Sequence, residues 1–350
     1  MTSDDAVIRG NGAVRAAARD YERYSSDLQG DQDVRDYKQL PLEVDPPDHN
    51  ELRALIAPWF VRESLVKHSD EFRAIARDLV SAGKASASTQ SGILEITRGL
   101  ALSMIVRCLG VVCGRPQDVE EWFSWGPDTW IIDEDGIRHG DHLDRYLKRV
   151  FDELDQNPSD DIFGAVNVAE FQGRSLSRKE KYGIANLVLA GGRDTVVKLI
   201  AGSLRQLSLD PELRAKIRAD FDMLPGFINE MVRFLSPLPV MHRVDTEATT
   251  DKANPSFAYL SFISANHDPE LFENPHLVDA QRSPNPHLGF GFGRHTCIGM
   301  HLANLEARII LEEWLLAFDS WTVADTSKIT YDVEYPTVPA RFDRLDLILG

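Results

Sequence analysis

Residues 285–299 constrain the fold of this chain more than any other stretch, because they combine three alternating glycines, a cysteine and the start of an apolar helix pattern. Alternating glycines allow the backbone to turn tightly and to approach a flat partner closely. Cys297 lies directly before a pattern that predicts a helix over 298–318. The free N–H groups and the positive dipole end of a helix start stabilise a thiolate, which is the form of cysteine that binds metals.

The residue types alone leave three other interpretations of this stretch open. A lone cysteine in an apolar helix is usually a small core residue. A nucleotide-binding loop would need G-x-G-x-x-G after a strand, whereas Gly289, Gly291 and Gly293 have a different spacing and follow no clear strand. Zinc would need more ligands, since His295 and Cys297 have no second pair near them.

Helical periodicity dominates the chain outside this stretch. The pattern predicts helices over 51–60, 64–81, 93–109, 142–154, 177–207, 211–220, 224–235 and 298–318. Strand patterns are few and cover 257–263 and parts of 329–349. Pro and Asn are frequent over 266–286, which predicts a long ordered loop of the kind that carries function. We therefore expect one mainly α-helical domain, residues 1–350, with small β-sheets.

The charge of the chain argues against two classes of partner. The 350 residues carry a formal net charge of −17, which disfavours general nucleic-acid binding and adhesion to an anionic membrane. No apolar run approaches the roughly 20 residues of a spanning helix, and the acidic N-terminus lacks a secretory pattern. The 3 cysteines show no disulfide-framework spacing. These features predict a cytoplasmic protein.

The spacing of Phe290, Gly293, His295, Cys297 and Gly299 resembles the haem-ligand loop of the cytochrome P-450 family. The resemblance implies that family's fold, a triangular prism of helices around haem b (iron protoporphyrin IX). It implies that Cys297 is the axial thiolate ligand, which pushes electron density toward O–O cleavage. It also implies that Phe290 packs against the haem near the sulfur, that His295 contacts a haem propionate, and that Gly299 belongs to the cofactor-binding loop.

A pair of charged residues in a predicted helix strengthens the resemblance. Glu230 and Arg233 are three residues apart and share one helix face. Such a pair is usually a solvated surface pair. Here it resembles the family's buried Glu-x-x-Arg pair behind the haem. Downstream residues over 265–282 resemble the family's connecting stretch, in which Arg282 completes the cluster through its fork of donors.

Three further basic residues match positions that bind haem propionates in this family. The segment Asp45-Pro46-Pro47-Asp48-His49 with Leu52 and Arg53 resembles the start of the family's C helix. His49 and Arg53 are four residues apart and share a helix face. Ordinary surface charges are the alternative interpretation. Arg243, which follows a Pro-Leu-Pro-Val run, matches another propionate-binding position by resemblance.

Two adjacent glycines interrupt an otherwise apolar helix pattern. Gly191 and Gly192 each cost about 1 kcal/mol relative to Ala within a helix. Close packing of a core helix is one explanation, and a widened groove over haem is the other. The segment Gly192-Arg193-Asp194-Thr195 resembles the family's Gly-x-acid-Thr motif, in which the acid and the alcohol deliver protons to the site of dioxygen reduction. The resemblance makes Asp194 and Thr195 the candidate catalytic residues.

Departures from the family affect the region that encloses the substrate. The segment before Asp45 is shorter than usual, and we expect a first helix and a strand to be missing. The stretch over 122–146, where the family places its F helix and the F–G loop, is also short. The stretch over 243–265 lacks the usual turn glycines.

The resemblance implies a haem-thiolate monooxygenase that inserts one atom of O₂ into a small or medium apolar molecule. With no flavin or iron–sulfur domain in the sequence, electrons are expected from a ferredoxin-type or flavodoxin-type donor with its own reductase. Two alternatives remain. One is an atypical haem-thiolate enzyme that couples, cyclises or desaturates its substrate, and the other is a shortened non-catalytic haem-binding helper.

Overall fold

The fold is described from a computed structural model, which describes residues 6–27, 37–89, 92–125, 131–132, 138–139, 141–251 and 255–350. Helices dominate these residues, and the strands form small sheets. This agrees with the mainly α-helical class that the sequence predicts.

The α-helices are α1 (Asn11–Arg19), α2 (Asp48–Phe60), α3 (Arg62–Val66), α4 (Ser69–Thr89), α5 (Ser103–Val112), α6 (Val119–Ser124), α7 (Asp141–Leu154), α8 (Ile162–Val168), α9 (Arg178–Ala190), α10 (Arg193–Leu209), α11 (Pro211–Ala219), α12 (Leu224–Leu235), α13 (Phe262–Asn266) and α14 (Met300–Ala317). A π-helical turn, Thr97–Leu102, leads into α5, and a 3₁₀ turn, Gly293–His295, lies before α14.

The strands are β1 (Ala6–Ile8), β2 (Tyr24–Ser25), β3 (Ile93–Glu95), β4 (Ile131–Ile132), β5 (Arg138–His139), β6 (Glu170–Phe171), β7 (Arg174–Ser175), β8 (Val240–Asp245), β9 (Phe257–Ser261), β10 (Trp321–Val323), β11 (Lys328–Tyr331), β12 (Pro339–Arg344) and β13 (Asp346–Leu349). The largest sheet has the order β1-β9-β8-β2, with β1 parallel to β9 and the other pairs antiparallel. A second sheet has the order β10-β13-β3, and three two-stranded sheets complete the set.

The main core forms where the long helices pack against one another. Helix α10 contacts α12 and α14, and α14 also packs along α4. Leu204, Ile310 and Trp314 lie in this core with no exposed surface. Because these helices are apolar around much of their circumference, they are buried on several sides. Residues of α10, α12 and α14 also line one cavity, so the packing of these helices fixes part of its wall.

Several predicted elements have different boundaries in the structure. The predicted helix over 93–109 is wrong at its start, since Ile93–Glu95 is a strand that pairs with β13. The predicted helix over 64–81 is two helices, α3 and α4. The predicted helix over 177–207 is divided into α9 and α10 by Gly191 and Gly192, the residues with the lowest helix propensity in that pattern.

Other outcomes concern the two ends of the chain and the long loop. Periodicity predicted no element before residue 51, whereas the structure has β1, α1 and β2 there, and α2 begins at Asp48, within the segment that resembles the start of the C helix. The loop predicted over 266–286 is confirmed, because residues 267–292 contain neither helix nor strand. The short stretch over 122–146 lies partly outside the described residues. Among the described helices, none is both long and apolar enough to cross a membrane.

Candidate functional site

One cavity of about 250 Å³ is lined by most of the residues singled out from the sequence. Its walls come from α2, the α9–α10 junction, β8 and the segment over 289–303. The candidate site residues that line it are His49, Arg53, Thr195, Arg243, Phe290, His295, Cys297 and Gly299. Segments from four distant parts of the chain therefore meet at one place.

The cysteine loop (residues 285–299) owes its shape to backbone that only glycine adopts easily. Gly291 and Gly293 have φ values of +72° and +74°. A Cβ on Gly289 would lie 2.5 Å from a side-chain carbon of Val232, so the loop packs tightly on α12. The N–H of Cys297 donates to the carbonyl oxygen of Phe290 at 2.8 Å, which closes the loop. The closed loop presents the sulfur to the cavity.

The surroundings of the Cys297 thiol have opposite effects on its pKa. Burial raises its pKa, while the N–H of Gly299 and the Arg53 guanidinium lower it. A Cβ on Gly299 would lie 3.9 Å from the sulfur, an ordinary van der Waals contact. Helix α14 begins at Met300, three residues after the cysteine. The sulfur is therefore next to the helix start that the sequence predicted, but not within the helix.

Four basic side chains surround the same end of the cavity. The rings of His49 and His295 are 4.3 Å apart, and Arg53 donates to the carbonyl oxygen of Thr296 at 2.7 Å. Burial, followed by the charges of Arg243 and the other neighbouring cations, lowers the pKa of His295 to about 3. Burial also lowers the pKa of Arg243 to about 10. Burial therefore disfavours the charged forms of these groups, which an anion placed beside them would favour.

The ion cluster of Glu230, Arg233 and Arg282 lies behind the cysteine loop. Arg233 donates two bonds to the Glu230 carboxylate, at 2.7 and 2.9 Å, and both residues are 0% exposed. Arg282 donates to the same carboxylate at 3.1 Å. Asn285 Nδ2 adds a further bond at 3.0 Å. Because Arg233 also donates to carbonyl oxygens of the loop over 266–277, the cluster anchors the segment that leads to Cys297.

The α9–α10 junction forms the cavity wall that carries the acid–alcohol motif. Gly191, Gly192 and Thr195 line the cavity, whereas Asp194 is exposed and is not among the lining residues. A Cβ on Gly191 would lie 2.8 Å from the carbonyl oxygen of Leu187, so a larger residue would distort the junction. The structure therefore brings Thr195 to the cavity and Asp194 to its outer side.

Two residues of this region were missed by the sequence reasoning. Arg193 is 1% exposed and donates to the carbonyl oxygen of Trp122 at 2.8 Å, which ties α10 to α6. Glu306 lines the cavity from α14 at 2% exposure, and its Oε1 has no hydrogen-bond partner among the described residues. Burial raises the pKa of Glu306. Their sequence signal was a charged residue within an apolar helix pattern, which alone does not distinguish a buried side chain from a surface one.

Comparisons with known proteins agree with this geometry. Residues 138–334 match the family model of cytochrome P450. The cytochrome P450 monooxygenase PikC of Streptomyces venezuelae is 30% identical over 285 residues, covering 78% of this chain and 67% of PikC. The steroid C26-monooxygenase of Mycolicibacterium smegmatis is 29% identical over 346 residues, covering 94% of this chain and 83% of that protein. A solved structure of a carbohydrate-active P450 superposes with a TM-score of 0.87 at 29% identity, covering 100% of this chain and 93% of that one.

The fold, the cysteine loop and these matches define a haem-thiolate protein. The chain belongs to the cytochrome P450 family and is a monooxygenase.

The residues of the cavity fit haem. His49 is 1% exposed, and its Nε2 has no hydrogen-bond partner among the described residues. The His295 ring is 4.3 Å from the His49 ring, and Arg53 and Arg243 line the same cavity. This basic group matches the two carboxylates of a porphyrin, which would supply the missing acceptors. The thiol of Cys297 supplies the ligand type that the family uses for iron.

Proposed function

We propose that this P450 inserts one oxygen atom from O₂ into a small or medium apolar molecule, with haem b bound through the Cys297 thiolate. The observation that carries the proposal is that Cys297 and Thr195 line one cavity whose basic groups surround the cysteine end. Bound haem supplies the oxygen chemistry. The protein's own residues hold the cofactor, exclude water and move protons.

The proposed haem contacts follow from the lining residues. His49, Arg53, Arg243 and His295 would hold the propionates, and Phe290 would pack against the haem near the Cys297 sulfur. Gly289, Gly291 and Gly299 line the cavity at the same end. The cluster of Glu230, Arg233 and Arg282 does not contact the cofactor in this proposal. It holds the segment that leads to the cysteine loop in place.

Proton delivery is assigned to the α9–α10 junction. Asp194 is exposed and Thr195 lines the cavity, so the pair connects the protein surface with the cavity interior. A carboxylate can take up a proton from solvent, and the adjacent hydroxyl can pass a proton inward while it accepts another. The broken helix leaves the room over Gly191 and Gly192 that a small molecule needs.

An apolar substrate is supported by the lining near this junction. Leu187, Val188 and Val196 face the cavity there, together with Pro41 and Leu42. The basic lining residues lie instead at the cysteine end, where Arg53 bonds to Thr296. A neutral apolar molecule would be bound without leaving a buried charge unpaired.

The electron donor is proposed to be a small acidic ferredoxin-type or flavodoxin-type protein with its reductase. Three arginines stack on aromatic rings near the cysteine loop: the guanidinium carbons of Arg15 and Arg19 are 4.3 and 4.7 Å from the Phe292 ring centroid, and that of Arg294 is 5.1 Å from the Tyr21 ring centroid. This local positive surface lies on a chain of net charge −17. Complementary charge would steer an acidic partner to it.

The test is a screen followed by product analysis. Apolar compounds are first screened for a shift of the haem spin state on binding. A compound that binds is then incubated with NADH, a surrogate ferredoxin and its reductase. A product heavier by one oxygen atom supports the proposal. A product that has lost hydrogen without gaining oxygen would replace it with desaturation, coupling or cyclisation.

A further inference from the structure

A short segment over 37–43, here called the strap, forms part of the apolar cavity wall. It contains neither helix nor strand, and its Pro41 and Leu42 line the cavity. The strap is folded on itself, because the Gln39 N–H donates to a Glu43 carboxylate oxygen at 2.6 Å and the Glu43 N–H donates to the Gln39 carbonyl at 2.9 Å. It therefore behaves as one preformed unit whose position depends on what holds it.

Asn186 of α9 bonds to the strap through both the oxygen and the nitrogen of its side-chain amide. Its Oδ1 accepts from Gln39 Nε2 at 2.6 Å, and its Nδ2 donates to the Tyr37 hydroxyl at 3.2 Å. That hydroxyl donates in turn to a carboxylate oxygen of Asp144 on α7 at 2.7 Å. Asn186 is 0% exposed. A buried amide is costly without partners, so the strap is favoured in the one position that supplies them.

A second contact on the same face of α9 holds the strap backbone close. A Cβ on Gly183 would lie 2.0 Å from the carbonyl oxygen of Lys38. Gly183 and Asn186 are three residues apart and therefore neighbours on the helix surface. Leu187, the residue after Asn186, lines the cavity. Two features thus set the distance between the strap and α9: Gly183 has no side chain to separate them, and the Asn186 amide bonds to the strap.

We propose that Asn186 is a positioning residue that determines ligand size in this P450, because it fixes the strap wall formed by Pro41 and Leu42. The inference deepens the proposed function and rests on it, since the cavity is taken to be the site beside haem. With Asn186 in place the wall excludes bulky ligands. Without it the strap moves away from α9 and the cavity accepts them.

The experiment compares the dissociation constants of imidazole and of the larger 4-phenylimidazole in the haem-loaded protein, by optical titration. Asn186→Leu keeps the side-chain size and removes both hydrogen bonds. It is expected to shift the ratio of the two constants toward the bulky ligand by about tenfold, the size of two lost neutral hydrogen bonds. Tyr37→Phe removes one of the two Asn186 bonds, together with the bond from Tyr37 to Asp144, and should shift the ratio in the same direction by less. Gly183→Ala should shift it by displacing the strap backbone.

Asn167→Leu is the matched control, because Asn167 is a hydrogen-bonded amide on α8 that bonds Asp155 and Lys181 outside the cavity lining. It should leave the ratio unchanged. An unchanged ratio in Asn186→Leu, Gly183→Ala and Tyr37→Phe, with haem and azole binding intact, would overturn the inference alone. Loss of haem or azole binding in the parent protein would overturn the proposed function and this inference together.

Discussion

Two walls of the cavity, the one formed by the cysteine loop and the one formed by the strap, are built in different ways. The cysteine wall is one continuous segment, residues 285–299, whose glycines, histidine and cysteine have fixed spacing. The strap wall joins Gln39 to Asn186, 147 positions apart, through side-chain hydrogen bonds. A wall made from one segment can be predicted from residue spacing, because its backbone requirements lie next to one another. A wall made from distant segments depends on contacts that no local pattern contains.

The largest expected effect on stability concerns the ion cluster of Glu230, Arg233 and Arg282, which anchors the segment leading to the cysteine loop. Glu230→Ala leaves Arg233 buried without its carboxylate, which should lower the free energy of unfolding by roughly 3–5 kcal/mol. The measurement is chemical denaturation of the haem-loaded protein. Glu121→Ala removes an exposed ion pair with Arg149 and should cost less than about 1 kcal/mol. Equal losses in the two variants would show that the cluster behaves as an ordinary surface pair.

This anchor also shows how far the sequence prediction reached. The helix over 224–235 has the predicted bounds, and its residues Glu230 and Arg233 bond as their spacing suggested. The burial of the pair came from the family resemblance, because spacing alone favours a solvated pair. Asn285, the fourth member of the cluster, gave no local signal because its contact spans 55 positions.

The failures have physical causes as well. The short segment Ile93–Glu95 is compatible with a helix or a strand by its sequence. It is a strand because it pairs with β13, which lies near the other end of the chain. The α9–α10 break follows from two glycines whose helix cost was known, but whether the helix bends or breaks depends on packing. Glu306 could not be placed in the cavity because a single carboxylate in an apolar pattern has no preferred partner in sequence.

A pH titration tests the packing behind the cysteine wall. Burial against Phe234 and Tyr335 lowers the pKa of His267 to about 4. Its stabilising contribution is complete above the unfolded pKa of about 6.5 and is lost as pH falls toward 4, because the unfolded state binds the proton first. Between pH 7 and 5 this group should account for about 2 kcal/mol of lost stability. His267→Gln should reduce the slope, and an unchanged slope would place His267 in contact with water.

Substitutions at the α9–α10 junction should change the amount of product formed per NADH rather than the stability of the protein. Thr195→Ala and Asp194→Asn are expected to lower product per NADH by about tenfold or more, because general acid–base help is removed. Hydrogen peroxide should rise by the missing amount, while haem content stays that of the parent. Product, peroxide and NADH are measured together. A lower melting temperature with unchanged coupling would mean that Thr195 serves only the helix.

The smallest effect is expected on the outer surface of the cysteine wall. Arg294→Glu should slow reduction by an acidic ferredoxin several-fold at low salt, and the difference should shrink as ionic strength rises. Stopped-flow reduction at several salt concentrations measures this. Lys216→Glu changes charge equally on the exposed side of α11 and is the control. Identical salt dependence in both variants would argue against docking at Arg294.

The central claim is that Cys297 supplies the thiolate ligand of haem. The most direct measurement is the difference spectrum of the reduced protein with carbon monoxide, recorded for the parent, for Cys297→Ala and for Cys113→Ala. Cys113 is a fully buried cysteine outside the cavity lining and serves as the control. We predict a thiolate-type spectrum in the parent and in Cys113→Ala and its loss in Cys297→Ala. A thiolate-type spectrum that persists in Cys297→Ala would contradict the account.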